Sequence, residues 1–152
     1  MRRKDKEVRD LEEMEDILRE AQVIRVAMCD DGTPYCVPMI FGYCDGKIYL
    51  HSAREGRKLS ILKVRNTVCF EADVEVQLIR AAKPCDWTMK YRSVIGLAEA
   101  SFITEREEKR RALCCIVRHY SGETCEFSDE ELEKVEVIRL DVREMRAKRS
   151  PI

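Results

Sequence analysis

Two turn signals, Asp30-Asp31-Gly32 and Asp45-Gly46, separate three β-type runs in the first third of the chain. The runs are VIRVAMC (23–29), PYCVPMIFGYC (34–44) and KIYLHS (47–52). Asp and Gly tolerate the positive φ that tight hairpin turns require. Such turns join antiparallel neighbours only, because parallel strands need a crossover of roughly a dozen residues or more. This part of the chain is therefore committed to consecutive hairpins. Pro38 falls inside the second run. It cannot donate to a strand ladder, so it belongs at an edge, at a bulge, or where something other than a strand faces the backbone.

The remaining runs extend the same pattern. TVCFEADVEVQLI (67–79) reads as a long strand. WTMKYRSVIGLAEASFI (87–103) reads as a long or bent one, with Gly96 at a bulge or a close approach. VEVIRLDV (135–142) is the last predicted strand and is followed by a basic tail. Between the strands lie helical patterns. Asp10 caps the first, with Glu13 three residues on, and Leu11, Met14, Ile17 and Leu18 line one face to about Gln22. The second covers Gly56 to Val64, with Leu59, Ile61 and Leu62 apolar. Thr104 with Glu107 opens a third, carrying Leu113, Ile116, Val117 and Tyr120. Ser128 with Glu131 opens a short fourth. About six strands, mostly in hairpins, with three or four helices predict an α+β, barrel-like domain rather than a doubly wound sheet. The 152 residues contain no repeat and no linker, which predicts one domain over 1–152.

Charge excludes some functions. There are 28 basic and 29 acidic residues and a net charge of −1, so a bulk nucleic-acid or membrane-binding surface is not expected. No apolar run is long enough to span a bilayer. The start, MRRKDKEVRDLEE, has no apolar stretch behind its basic residues, which predicts a cytoplasmic protein. The eight cysteines, Cys29, Cys36, Cys44, Cys69, Cys85, Cys114, Cys115 and Cys125, show no CxxC spacing, and no metal site is expected. They read as mostly buried free thiols, without a disulfide framework. His119, near the end of a helix, is explained by the helix dipole.

The stretch YLHSAREGRKL (49–59) is a strand-to-helix corner rich in cations. The first amides of a helix lack internal partners and carry partial positive charge. Arg57 and Lys58 in that first turn are unfavourable unless an anion joins them. A phosphate would satisfy the amides, the Ser52 hydroxyl and both cations. The alternative is a solvated charged face. A second stretch, WTMKYRSVIG (87–96), places Trp87, Tyr91, Arg92 and Ser93 on one strand. An aromatic, a guanidinium and a hydroxyl suit a flat, phosphorylated cofactor.

The order of VPMIFGY (37–43), YLHSAREGRKL (49–59), VCFE (68–71), CDWTMKYRSVIGLAEA (85–100), EEKRRAL…RHY (107–120) and VIRLDVREMRAKRSP (137–151) resembles the pyridoxamine 5'-phosphate oxidase-related flavoproteins, in particular their nitroimidazole-resistance branch. The resemblance implies a split β-barrel that dimerises and binds FMN between two subunits. It implies that the flavin ring lies along Pro38, Met39 and Ile40. It implies that Ser52, Ala53, Arg57, Lys58, Arg92 and Ser93 hold the phosphate, with Gly56 and Val94 in the same two stretches. His51 is then expected near flavin and substrate, as the catalytic residue. Trp87 and the C-terminal region are expected from the other subunit. The implied function is an FMN-dependent oxidoreductase acting on a small acceptor such as a nitroaromatic. The alternative is a flavin- or haem-binding, redox-sensing module without turnover. The ending EMRAKRSPI lacks the arginine-rich motif that grips the vitamin phosphate in pyridoxamine 5'-phosphate oxidase itself, which argues against vitamin B6 oxidation. No GxGxxG is present, so no Rossmann domain is expected.

Overall fold

A computed structural model describes residues 4–150. Residues 1–3 and 151–152, which include the basic start and the last two residues of the tail, lie outside the described residues. The elements are β1 (Glu7–Val8), α1 (Leu11–Glu20), β2 (Ile24–Asp30), β3 (Thr33–Met39), β4 (Phe41–Cys44), β5 (Lys47–Ser52), α2 (Arg57–Val64), β6 (Thr67–Ile79), β7 (Thr88–Phe102), α3 (Arg106–Ser121), α4 (Asp129–Glu133) and β8 (Glu136–Ser150).

Both hairpins form where the turn signals fall. Asp31 and Gly32 have φ of 49° and 85°, and Asp45 and Gly46 have 53° and 73°. The run 34–44, read as one strand, is broken at Ile40, and that break shapes the molecule. The sheet order is β3-β2-β6-β7-β8-β5-β4, with β1 on β8. So β3 and β4 are the two outer edges of the sheet, yet a single residue joins them. Edges so far apart in the pairing order can meet only if the sheet curls through most of a turn. The result is a barrel-like α+β fold whose sheet is not closed by hydrogen bonds. Pro38 sits on edge strand β3, facing outward, where its missing N–H costs no ladder bond.

Eight strands form rather than about six. The predicted basic tail is part of β8, which pairs with β7 as far as Tyr91 opposite Ser150. It reads as a tail because charged residues fall on both of its faces: Ala147 and Ser150, on opposite faces, are buried while Arg146 and Arg149 are exposed. The core centres on Phe41, Phe70, Ile24, Ile48, Leu50, Ile138 and Leu140. Gly96 is a close approach, since a Cβ there would lie 2.4 Å from Phe70 Cζ and 2.5 Å from the Glu144 carbonyl. A register shift against β8 follows it, between Leu97 and Ala98.

Asp10 caps α1, its side chain accepting from the Glu12 amide at 3.1 Å. The helix ends at Glu20, short of Gln22, because Ala21 is already extended. Ser128 and Glu131 form the expected capping box on α4. The cap of α3 is Glu105 rather than Thr104. Its carboxylate accepts from the amides of Glu107 and Glu108 at 2.9 and 2.6 Å, while Ile103 is still bonded to Val137 of β8.

Helix α3 lies against β4. A Cβ on Gly42 would fall 2.7 Å from the Cys115 carbonyl carbon, so the two backbones touch. Two residues on, Cys44 is disulfide-bonded to Cys115. This corrects the expectation of mostly buried free thiols. Cys29, Cys36 and Cys85 are exposed, and Cys69, Cys114 and Cys125 are partly buried. Strand phase overrides the thiol's preference for the interior: on β3, Tyr35, Val37 and Met39 take the inward positions and leave Cys36 outside. The bridge spans 71 residues, a closure worth about 4 kcal/mol in the chain-entropy picture. The end of α3 is fixed as well. His119 Nε2 lies 2.7 Å from the Ala21 carbonyl oxygen. The Tyr120 hydroxyl donates to the Gln22 carbonyl at 2.8 Å and accepts from the Phe41 amide at 3.0 Å. His119 is thus a structural tie. Among the described residues, no helix is long and apolar enough to cross a membrane.

Candidate functional site

At the end of β5 the alternation is regular. Ile48, Leu50 and Ser52 are buried, and Tyr49 and His51 occupy the other face, half-buried. The chain then crosses Ala53 to Glu55 and starts α2 after Gly56, whose φ of 137° suits glycine alone. Gly56 has no side chain with which to cap the helix, and the first turn contains no acidic residue. The N-terminal amides of α2 are therefore left to whatever occupies the corner.

The three cations of the corner are not equivalent. Arg57 turns away: its Nε donates to Asp30 Oδ2 at 3.0 Å, and its guanidinium lies 4.6 Å from the centre of the Tyr35 ring. Arg54 is exposed, at 4.0 Å from Glu136. Lys58 is half-buried and has no carboxylate partner among the described residues. Burial holds its pKa below the ordinary lysine value. His51 lies beside it. Burial first, and the Lys58 charge second, push the His51 pKa down. His51 Nδ1 is enclosed and has no hydrogen-bond partner among the described residues. A half-buried lysine that disfavours the charge on the neighbouring His51, beside an uncapped helix start, forms a local field suited to an anion.

His51 also opens on a cleft of about 370 Å³. Ile40, at the break between β3 and β4, forms one wall, and Leu113, Ile116 and Val117 of α3 form another. Phe127, Glu131, Lys134 and Val135 close the rim. The structure thus brings Ile40, the end of the Pro38-Met39-Ile40 edge, together with His51 and the start of the corner. The α3 residues were missed by the sequence reading, which took them as an ordinary core-facing stripe. Their spacing is helical in either case, so periodicity carried no separate signal.

The second stretch lies elsewhere in the chain. Arg92 Nη2 donates to Glu20 at 2.5 Å and its Nε to Glu75 at 2.8 Å. Trp87 Nε1 donates to the Ala81 carbonyl at 3.0 Å, with Arg80 over the ring. Ser93 lies on the outer face of the sheet, in a hollow of about 450 Å³ with Tyr91, Asp73 and Lys148. Val94 points into the core with no exposed surface. Arg92 is opposite Val74, beyond the start of β2 in the shared register, whereas Arg57 is tied to Asp30 at its far end. At about 3.3 Å per strand residue, the two stretches are on the order of 20 Å apart. One chain does not bring them together.

A family model described as pyridoxamine 5'-phosphate oxidase matches residues 10–149. The chain belongs to this family. A solved structure of a candidate 5-nitroimidazole antibiotic resistance protein from Bacteroides thetaiotaomicron is similar to this family member at 34% identity. That match covers 93% of this chain and 85% of the other, with a TM-score of 0.84. A FAD and heme binding protein from Mycobacterium smegmatis shares the fold at 19% identity, with a TM-score of 0.86, covering 97% of this chain and 74% of its own. A flavocytochrome from Azotobacter vinelandii does so at 21% identity, with a TM-score of 0.85, covering 100% and 72%. No curated protein sequence matches the chain.

Proposed function

We propose that this family member binds FMN and, as a homodimer, passes electrons to a small acceptor such as a nitroaromatic. The observation that carries the reading is Lys58, a half-buried cation without a carboxylate partner among the described residues, at an uncapped helix start beside His51. A phosphate there fits the Ser52 hydroxyl, the α2 amides and the Lys58 ammonium together. Membership of the family and the similarity to the Bacteroides protein support the flavin and the acceptor class.

A bound flavin would supply the electron transfer, and the chain's own groups would orient and protonate. The outer edge of β3 has no strand partner among the described residues, so the Pro38-Met39-Ile40 backbone is free to line a flat ring. The cleft walls of Ile40, Leu113, Ile116 and Val117 would exclude water. His51 is neutral near pH 7 in this state. Burial is the larger cause of its lowered pKa, and an anion on Lys58 would offset the smaller one, the Lys58 repulsion, easing the imidazole's part in holding or giving a proton toward the acceptor.

A second copy supplies what one chain lacks. The outer face of β7 exposes Met89, Ile95 and Leu97 beside Val76 of β6, an apolar row unusual for a free surface. A second copy set on that face would bring the Trp87–Ser93 stretch of one chain toward the corner of the other.

A fluorescence titration with FMN and riboflavin tests the site. Lys58→Met is expected to weaken FMN binding about tenfold to a hundredfold, the worth of one charged hydrogen bond. Riboflavin, which lacks the phosphate, should bind wild type and variant alike. Equal losses for both flavins, or none for either, would remove the phosphate from this corner.

A further inference from the structure

Midway along α3, four cysteines share one hollow. Cys44 and Cys115 are already joined. Cys114 and Cys125 are free thiols whose sulfurs lie 3.2 Å apart. Cys125 Sγ–H donates to Cys114 Sγ, and Cys114 Sγ–H donates to the Cys125 carbonyl at 2.9 Å. Disulfide bonding needs about 2.05 Å between sulfurs, so the pair has to close by only about 1 Å. Cys114 is held on a long helix. Cys125 lies in the irregular segment 122–128 between α3 and α4, where small movements meet little resistance. Arg110, Arg111 and Arg118 line the same hollow.

We infer that Cys114 and Cys125 form an oxidisable dithiol, a second disulfide site that reacts with an anionic low-molecular-weight disulfide. The guanidinium groups attract the anionic oxidant. Cys114 attacks one sulfur of the small disulfide. That S–S bond breaks, and one half leaves and takes up a proton as a thiol. Cys125 then attacks the mixed disulfide at Cys114, its proton passes to the second departing thiolate, and the Cys114–Cys125 bond forms. Two electrons leave the protein thiols and reduce the small disulfide to two thiols. Burial and the neighbouring Cys114 hold the Cys125 thiol above its ordinary pKa, which suits the resolving position. The new bond ties the segment 122–128 to α3. That segment carries Phe127, a wall of the His51 cleft, so the cleft becomes more rigid when the pair is oxidised.

The full chain incubated with glutathione disulfide, acid-quenched and alkylated, tests the site by intact mass and non-reducing peptide mapping. The expected result is loss of two alkylatable thiols and of two hydrogens in mass, with no glutathione retained at the pair. The peptide 112–118 then becomes joined to both the Cys44 and the Cys125 peptides. Cys125→Ser is expected to stop at one glutathione on Cys114. In wild type, hydrogen exchange over 122–128 should slow about tenfold on oxidation. This last measurement needs no variant to fold. The proposal is overturned if Cys114 and Cys125 still alkylate while exposed Cys29, Cys36 or Cys85 take up glutathione, or if Cys114 pairs with Cys44. Unchanged exchange over 122–128 in a mapped Cys114–Cys125 disulfide would overturn the link to the cleft.

Discussion

In the proposed function, binding and chemistry meet at His51. Its imidazole sits between the anion corner and the apolar cleft, and its Nδ1 has no partner among the described residues. His51→Ala is expected to leave FMN bound but to slow acceptor reduction, by tenfold or more if the group serves as a proton source. Steady-state turnover at saturating FMN measures this, and an unchanged rate would make His51 structural. The folded protein also disfavours the charged imidazole. The unfolded chain then takes the proton first, so this contribution to stability is full above about pH 6.5 and is lost as pH falls through the unfolded and then the folded pKa. Urea melts between pH 7 and 5 should show a shallower decline for His51→Gln than for wild type. Parallel curves would mean that His51 is not desolvated. The corner itself was legible in the sequence, because strand alternation and Gly56 are local signals. Arg57 was not legible as an outward-turned group. Its direction is set by Asp30 and Tyr35, more than twenty positions away. Arg92 is likewise set by Glu20 and Glu75.

Among the elements, the break at Ile40 and the contact of β4 with α3 hold the cleft open at a fixed width. Phe41 is bonded to Tyr120, Gly42 touches the Cys115 backbone, and Cys44 is bridged to Cys115. Neither side of that contact can yield easily, because the three nearest atoms at Gly42 are all backbone. Gly42→Ala should therefore destabilise the fold by about 1–3 kcal/mol or more, read from denaturant midpoints. Loss of under about 0.5 kcal/mol would show that α3 sits farther from β4 than described. Most elements could be read from turn residues, caps and alternation. The exceptions have physical causes. A run of apolar residues gives no sign of where it changes sheet edge. The end of β8 carries charged residues on both faces and buries only small ones, so it looked like a tail. The disulfide could not be read because Cys44 and Cys115 meet only through tertiary packing.

At the scale of the whole molecule, the proposed function divides the site into two halves. One would comprise the Pro38–Ile40 edge, His51, Ser52 and Lys58, and the other Trp87, Arg92 and Ser93, with Ser93 on the face that exposes Met89, Ile95 and Leu97 and Arg92 on the opposite face against Glu20. The sequence showed both stretches without showing that a single chain keeps them apart, because register between distant strands decides that. An absorption spectrum recorded across the gel-filtration peak of the full chain, after incubation with FMN, tests the joined account most directly. The account predicts flavin bands that travel with the protein at the elution volume of a dimer. A colourless protein peak, with all the FMN at the small-molecule volume, would contradict it.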